Sequence, residues 1–211
     1  MDSLMIKRIA LFAVSMIIFL TGCMLYGIII NLREDSLSEA MAKLNLKQLK
    51  SPNIVINRKK YTLSLYEDTL LVKSYTAVFG RNHQPKKVAD DKATPYGDYY
   101  ICEIDSNSIY YRFFKINYPN LKDLQNALHN GAISKTEFEA SRYQEDLNAS
   151  PRPDSKLGGN VGIHGIGRLN FLFKNLPFVF NWTDGSIAIS NESINELAPI
   201  IQKGTKVTIN D

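Results

Sequence analysis

The sequence predicts a mainly β domain with a helical insertion, preceded by one apolar helix. From residue 53 onward, short apolar runs alternate with polar residues between turn-forming residues, which is typical of antiparallel strands. Residues 120–147 interrupt this pattern with apolar positions at helical spacing. Residues 9–32 form an uncharged run of 24 residues, which is long enough to cross a bilayer as a helix.

The uncharged run also predicts where the domain resides. Lys7 and Arg8 precede it, so the positive-inside rule keeps the N-terminus in the cytoplasm and exports the rest. We expect residues 1–32 to be an uncleaved anchor, because the apolar run continues beyond Cys23, where a processed protein usually turns polar. Two alternatives stay open: a cleaved signal peptide, and a lipoprotein acylated at Cys23. All three place the C-terminal domain outside the cytoplasm.

Residues 33–52 predict a stalk helix and a linker between the anchor and the domain, which occupies residues 53–211. Ser36 and Glu39 have the spacing of a capping box, and apolar residues follow at helical spacing. We expect this helix to reach roughly Lys50, because a Ser-Pro pair then ends it.

The domain is expected to contain short strands and a pair of helices. Within the insertion, Asn130 and Gly131 are suited to ending a first helix, and the capping-box spacing of Ser134 and Glu137 opens a second. The expected strands are residues 54–56, 61–66, 70–72, 75–79, 99–104, 110–116, 161–164, 187–190 and 206–209, with a last helix at 193–201.

Composition argues against several kinds of site. The net charge is only +4 and no dense basic stripe is present, so nucleic-acid binding is not expected. Cys23 and Cys102 lie far apart and do not predict a disulfide scaffold. The histidines, His83, His129 and His164, are scattered without ligand spacing, so we expect no metal and no other cofactor.

Three short segments carry the chemistry that the sequence suggests. Residues 94–99 are Thr-Pro-Tyr-Gly-Asp-Tyr, a turn that leads into a strand. Residues 162–165 are Gly-Ile-His-Gly and place His164 at a strand end, and residues 183–186 are Thr-Asp-Gly-Ser and place Ser186 at the start of an apolar strand. A hydroxyl that attacks a carbonyl needs a base within hydrogen-bond reach, so folding must bring the histidine and the serine together.

These segments, in this order, resemble the L,D-transpeptidase (YkuD-like) family over roughly residues 53–209. The family has a T-P-x-G-x-[FY] element, an I-H-G element with a general-base histidine, and an [ST]-x-G-C element with a nucleophilic cysteine. Ser186 stands where that cysteine is expected. Residues 187–191, Ile-Ala-Ile-Ser-Asn, resemble a Gram-negative murein transpeptidase or amidase-like branch. The resemblance implies a YkuD-like β-sandwich in the periplasm, behind a single-pass anchor.

The resemblance also implies the residues of the site. Ser186 would be the nucleophile and His164 the base, with the carbonyl of Gly165 orienting the ring. Backbone N–H groups near Gly185 and Ser186 would hold the oxyanion. The residues expected to contact substrate are Thr183, Asp184, Trp182, Arg168, Asn191 and Tyr118.

The implied function is acyl transfer on peptidoglycan stem peptides, attacked at the carbonyl of the meso-diaminopimelate residue in position three. The acceptor would be the side-chain amine of another stem, a lysine of an envelope protein, or water. A serine hydroxyl does not ionise as a thiol does. Three interpretations of Ser186 therefore stay open: a working nucleophile, a mark of a degenerate peptidoglycan-binding module or scaffold, and a laboratory Cys→Ser substitution.

Overall fold

The computed structural model describes residues 3–146, 150–152, 154–176 and 179–211. The helices in this part are α1 Ser3–Asn31, α2 Leu37–Lys43, α3 Leu121–His129, α4 Lys135–Asp146, α5 Asn170–Lys174 and α6 Asn191–Leu197. The strands are β1 Pro52–Asn57, β2 Thr62–Glu67, β3 Leu70–Thr76, β4 Gly97–Asp105, β5 Phe113–Ile116, β6 Gly162–Gly165, β7 Ile187–Ile189 and β8 Lys206–Asn210. Residue 147, the expected end of the insertion, lies outside the described residues.

The strands form one sheet in the order β3-β2-β1-β8-β4-β5-β6-β7. Neighbours are antiparallel except for β1 with β8 and β6 with β7, which are parallel. The first half of β4 pairs with β8 and the second half with β5, with a register shift between Ile101 and Glu103. A bulge bends a strand, so β4 is the corner that the two halves of the sheet share. The mainly β fold class is confirmed.

The core lies between the two halves of this bent sheet. Buried side chains of β1 and β2 belong to the same apolar cluster as buried side chains of β5, β6 and β7. The expected sandwich is thus built from a single sheet. The cluster includes Ile54, Ile56, Leu63, Leu65, Phe114, Ile116, Ile163 and Ile187, each at most 1% exposed.

The chain that follows β3 joins the two ends of the sheet. Val78 and Ala188 of β7 exchange two backbone hydrogen bonds of 2.9 Å each. Residues 75–79 were expected to form a separate strand, but β3 is continuous through Lys73 and Ser74, which pair with β2. After Thr76 the backbone leaves β2 and crosses to β7, which positions residues 77–80 beside the candidate site.

Two other boundaries differ from expectation for local reasons. β5 begins at Phe113 rather than 110, because Tyr111 has a positive φ of 80° and sits in a turn. α6 spans Asn191–Leu197 rather than 193–201. Ser190 caps it, since its Oγ accepts the N–H of Ser193 at 3.1 Å.

The expectation of a stalk helix reaching Lys50 is wrong. α2 ends at Lys43, where a Schellman motif stops it: the N–H of Leu46 donates to Met41 O at 2.9 Å, and Asn45 has a φ of 57°. α2 is also no free stalk. Leu37 is 5% exposed within the main core, and its N–H donates to Glu196 Oε1 at 3.1 Å.

α1 is an uninterrupted helix of 29 residues that contains the whole uncharged run apart from its last position. The helix is long enough and apolar enough to cross a membrane. A signal sequence near an N-terminus has the same properties. Almost all of its surface faces outward, so it is not the core helix of the domain.

Replacement of Leu37 tests whether α2 belongs to the domain. We expect Leu37→Ala to lower the free energy of unfolding by about 2–5 kcal/mol, because it leaves a cavity in the core. The measurement is urea unfolding of the detergent-solubilised full chain. The matched control, Leu71→Ala, removes a side chain that is 46% exposed and should change stability by only about 0.5 kcal/mol. Equal effects of the two changes would contradict the packing of α2.

Candidate active site

The four residues of β6 are all buried, and two of them must be glycine. A Cβ on Gly162 would lie 2.5 Å from Phe114 O, and one on Gly165 would lie 2.7 Å from Asn191 Oδ1. Larger residues would push β6 away from these neighbours. The glycines on either side of His164 therefore allow the close packing that holds the histidine in place.

The ring of His164 has one defined orientation. Its Nδ1 lies 2.7 Å from Gly165 O. A carbonyl oxygen only accepts, so Nδ1 carries the proton and the lone pair is on Nε2. Ring contacts with Tyr110, Phe113 and Trp182, at centroid distances of 4.8, 6.1 and 6.1 Å, confine it further.

Burial sets the charge of this histidine. Loss of solvent disfavours the imidazolium and lowers the pKa of His164 below its ordinary value, although the hydrogen bond to Gly165 opposes the shift. At neutral pH the ring is therefore uncharged. An uncharged imidazole with a lone pair on Nε2 is suited to accept a proton.

Ser186 directly precedes β7, the strand next to this histidine. β6 and β7 pair in parallel, with His164 opposite Ala188, which puts Ser186 opposite Gly162. The N–H of Gly162 donates to Ser186 Oγ at 3.3 Å. Side chains two residues apart on a strand share a face, so Ser186 and His164 occupy diagonal positions on one face. Within the described part of the chain, no hydrogen bond joins Ser186 Oγ to His164 Nε2.

The turn before Ser186 is tied by the buried side chain of Thr183. Its Oγ1 donates to Ser186 O at 2.6 Å and accepts the N–H of Gly185 at 3.3 Å. Its backbone N–H donates to Phe79 O at 3.1 Å. The hydroxyl is therefore engaged inside the turn, and Thr183 positions the serine instead of facing outward as a substrate contact.

The Thr-Pro element supports this turn from below. A Cβ on Gly185, which has a φ of 127°, would lie 2.8 Å from Ala93 O. Next to it, Thr94 Oγ1 accepts the N–H of Gly80 at 2.9 Å. Two of the three motifs thus meet, because residues 93–94 pack against the turn that contains Gly185.

Two features of the site were missed by the sequence analysis. Arg58 is buried and donates to Thr94 O at 3.0 Å, while its guanidinium lies 4.2 Å from the ring centroid of Tyr96. Lys86 forms a buried ion pair with Asp91 at 2.9 Å, and its Nζ lies 3.9 Å from a Cβ built on Gly185. Arg58 and Lys86 both lie in short runs of basic residues, which give no local sign of burial.

Both members of the Lys86–Asp91 ion pair have further hydrogen-bond partners. Lys86 Nζ also donates to Val88 O and Ala89 O at 3.0 and 3.2 Å. Burial alone would raise the pKa of Asp91, but hydrogen bonds from backbone N–H groups and from Lys86 hold it below its usual value. The ion pair therefore holds the Lys86 ammonium close to the turn that carries Ser186, with its charge balanced by the Asp91 carboxylate.

Three other residues expected to contact substrate, Asn191, Arg168 and Asp184, differ in their surroundings. Asn191 donates to Gly167 O at 3.0 Å and accepts its N–H at 2.9 Å, so its amide holds the loop after β6. Arg168 is exposed in that same loop. Asp184 is exposed and pairs with Arg81.

Tyr118 and Trp182 are aromatic candidates with different surroundings. Tyr118 is 3% exposed and packs edge-on against Tyr99, so its ring belongs to the core. Trp182 is half-buried and stands between His164 and Phe173, at centroid distances of 6.1 and 5.7 Å. The structure therefore brings Trp182 next to His164 but keeps Tyr118 inside the domain.

A cavity of about 620 Å³ lies beside His164 and Ser186, but neither of these residues lines it. Trp182 and Ala188 form the wall shared with the candidate site. The opposite wall belongs to α1, through Tyr26, Gly27 and Ile30. Among the described residues, no group of three or more side chains is arranged to hold a metal ion.

Replacement of Gly185 tests the packing under the serine. We expect Gly185→Ala to destabilise the chain by about 1–3 kcal/mol more than Gly204→Ala. Both glycines have a positive φ, but a Cβ on Gly204 meets nothing within 4 Å, so only Gly185→Ala adds a clash with Ala93. Urea unfolding of both variants measures the difference, and equal losses would contradict the close contact.

Acid should destabilise the chain through His164. Its folded pKa is lowered, so between that value and an unfolded pKa of about 6.5 the unfolded chain binds more protons. Stability must then fall as pH falls below about 6.5. We expect the loss between pH 7.5 and 5.5, measured by urea unfolding, to be smaller in His164→Gln. Other titrating groups are common to both proteins, and an unchanged loss would contradict a buried neutral histidine.

Comparison with models of protein families matches residues 51–209 to the L,D-transpeptidase catalytic domain, YkuD. Comparison with curated proteins found no match. Among solved structures, an L,D-transpeptidase from Xylanimonas cellulosilytica is 14% identical with a TM-score of 0.44, over 83% of this chain and 70% of its own.

Two further solved structures are similar. The helical cell shape determining protein Pgp2 from Campylobacter jejuni, as a K307A mutant, is 19% identical with a TM-score of 0.49, over 82% of this chain. Bd1075 from Bdellovibrio bacteriovorus is 19% identical with a TM-score of 0.46, over 76%. This chain spans 54% and 48% of those two chains. The family model covers most of the chain and all three motifs, so the chain belongs to the L,D-transpeptidase catalytic domain (YkuD) family.

Proposed function

We propose that the chain is an acyl-transfer enzyme acting on peptidoglycan stem peptides, with Ser186 as the nucleophile and His164 as the general base. The observation that carries the proposal is the parallel pairing of β6 with β7, which brings Ser186, the residue just before β7, next to β6, where the N–H of Gly162 donates to its Oγ. The hydrogen bond between His164 Nδ1 and Gly165 O adds to it, because it leaves the basic Nε2 lone pair available. A module that only binds has no need of a base held in this way.

The reaction follows from the protonation states. As Ser186 Oγ attacks the carbonyl carbon of the stem peptide, His164 Nε2 takes its proton, since a serine hydroxyl does not ionise beforehand. The C–N bond then breaks, and the imidazolium returns the proton to the leaving amine. An ester joins the stem to Ser186. An amine or water attacks that ester and gives its proton to His164, which passes it to Ser186 Oγ as the ester bond breaks.

Two backbone groups are candidates to hold the oxyanion, and their surroundings differ. The N–H of Gly185 already donates to Thr183 Oγ1 at 3.3 Å. We therefore assign the oxyanion to the N–H of Ser186, a type of donor that contributes about 3–4 kcal/mol in other acyl-transfer enzymes.

The family suggests the substrate, and α1 suggests where in the cell the domain meets it. The carboxylates of a stem peptide would meet Arg168, whose exposed guanidinium lies in the loop held by Asn191. α1 would anchor the domain as a single-pass helix, with the catalytic face in the periplasm. The acceptors we propose are the amine of another stem, a lysine of an envelope protein, or water.

A second candidate function is a catalytically degenerate peptidoglycan-binding scaffold. The observation that favours it is the position of Ser186 Oγ, which is hydrogen bonded to the N–H of Gly162 and not to His164. A site shaped for the larger sulfur of a cysteine would leave a shorter serine side chain in such a position.

Product analysis separates the two functions. The full chain in detergent is incubated with tetrapeptide-bearing muropeptides, and products are followed by mass spectrometry. We expect turnover that is abolished by Ser186→Ala and reduced at least about 100-fold by His164→Gln. Ser74→Ala is the control, because this serine lies on β3 and its hydroxyl is hydrogen bonded to Ser64 across the sheet.

Each result has a distinct meaning. A dimer that joins two stems and lacks one position-four residue identifies transfer, and a stem shortened to a tripeptide, with the position-four amino acid released, identifies hydrolysis. Turnover that appears only in Ser186→Cys would contradict the serine mechanism and support the scaffold. Turnover that survives in Ser186→Ala would contradict both functions of this site.

A further inference from the structure

An exposed apolar patch surrounds α5 and the loop that follows it. Its members are large apolar side chains that are between 41% and 63% exposed, and they lie within twelve residues of the chain. The patch consists of Leu169, Phe171, Leu172, Val179 and Phe180. Surface apolar residues are usually scattered singly, and a contiguous group marks an interaction surface.

The same segment is fixed to the last turns of α1. The backbone of Gly27 packs so closely on Asn175 that an added Cβ would lie 1.9 Å from Asn175 O. One turn further along α1, Asn31 Nδ2 donates to Lys174 O and Asn175 Oδ1 at 2.9 and 2.8 Å. Asn175 in turn donates to Phe171 O at 2.7 Å. The patch and α1 therefore move as one unit.

The contacts with α1 define the depth of the patch. Arg33 is the first charged residue after the uncharged run and marks where the helix meets the aqueous surface. At a rise of about 1.5 Å per residue, Gly27 lies roughly 9 Å below Arg33 in an upright helix. That is the depth at which apolar faces of interfacial segments settle, about 5–10 Å into the boundary between headgroups and acyl chains.

We propose that this apolar patch inserts into the outer surface of the bilayer that α1 spans. The inference rests on the membrane anchor proposed above. Lipid fits the patch because its aromatic and aliphatic side chains are exposed on the segment that is bonded to the last turns of α1. The cavity between Trp182 and α1 then opens at headgroup level. The stem peptides that reach the site are those presented at the membrane surface.

Tryptophan fluorescence can measure the depth of the patch. The chain has a single tryptophan, Trp182. In a Trp182→Phe background, Phe171→Trp places a reporter on the patch of the full chain in phosphatidylcholine vesicles. Lipids brominated near the headgroup end of the acyl chains quench nearby indoles. We expect these lipids to reduce the emission of Phe171→Trp by roughly twofold.

Two further reporters make the experiment decisive. Leu70→Trp is the control, because Leu70 is 45% exposed but lies at the end of β3 away from Thr76, which lines the cavity beside α1. That separation is about 20 Å along the strand. Phe19→Trp reports on the middle of α1 itself and is measured with lipids brominated near the methyl end of the acyl chains. Only Phe171→Trp and Phe19→Trp should be quenched.

The outcomes separate this inference from the anchor. If Phe19→Trp is quenched but Phe171→Trp is quenched no more than Leu70→Trp, the patch stays in water and the inference is overturned while the anchor stands. If Phe19→Trp is not quenched, the anchor fails and the inference fails with it. Should Trp182→Phe not fold, the same reporters are added with Trp182 retained, and the extra quenching of Phe171→Trp over Leu70→Trp decides.

Discussion

The parallel pairing of β6 with β7 is the constraint on which the candidate site depends. His164 and Ser186 come from separate segments, and only the register that sets His164 opposite Ala188 puts their side chains on one face. A slip of one residue would turn the serine to the other face of the sheet. Both strands are short, with four and three residues, so their own ladder cannot specify the register alone. Contacts from outside the pair must hold it.

Those contacts come mainly from the chain after β3. Val78 pairs with Ala188 on the free side of β7, and residues 93–94 pack against the turn that contains Gly185. Buried polar groups hold this chain in turn: Thr94 binds Gly80, and Arg58 binds Thr94. An unpaired buried polar group is costly, so each of these bonds makes an alternative path of the chain unfavourable. The residues that close the sheet are also the residues that support the turn before Ser186. The site is therefore held in one arrangement.

The sequence predicted the parts of this arrangement that depend on periodicity and left out those that depend on tertiary contact. Alternation of apolar residues identified most strands, apolar spacing identified the first helix of the insertion, and the capping box of Ser134 and Glu137 identified the second. The motifs pointed to His164 and Ser186. Lys86 and Arg58 were missed because a buried cation in a basic run has the same local pattern as a solvated one; only the folded chain supplies the carbonyls and the Asp91 carboxylate that compensate burial. The packing of α2 was missed for the same reason, since an amphipathic helix does not reveal which surface receives its apolar face.

The chemistry of a serine in this position depends on the state of the histidine. A cysteine beside a base forms a thiolate before attack, and the resulting imidazolium gains from the negative sulfur. Ser186 has no such ion pair to form, so a histidine that is uncharged at neutral pH is the required starting state, and the burial of His164 supplies it. The bond from the Gly162 N–H to Ser186 Oγ uses an acceptor lone pair and leaves the hydroxyl proton free to turn toward Nε2. The distance between the two groups has only to shorten when substrate binds, as catalytic hydrogen bonds commonly do. Burial of the His164 ring makes an ion pair of thiolate and imidazolium less favourable. The same burial suits general-base catalysis by a neutral imidazole.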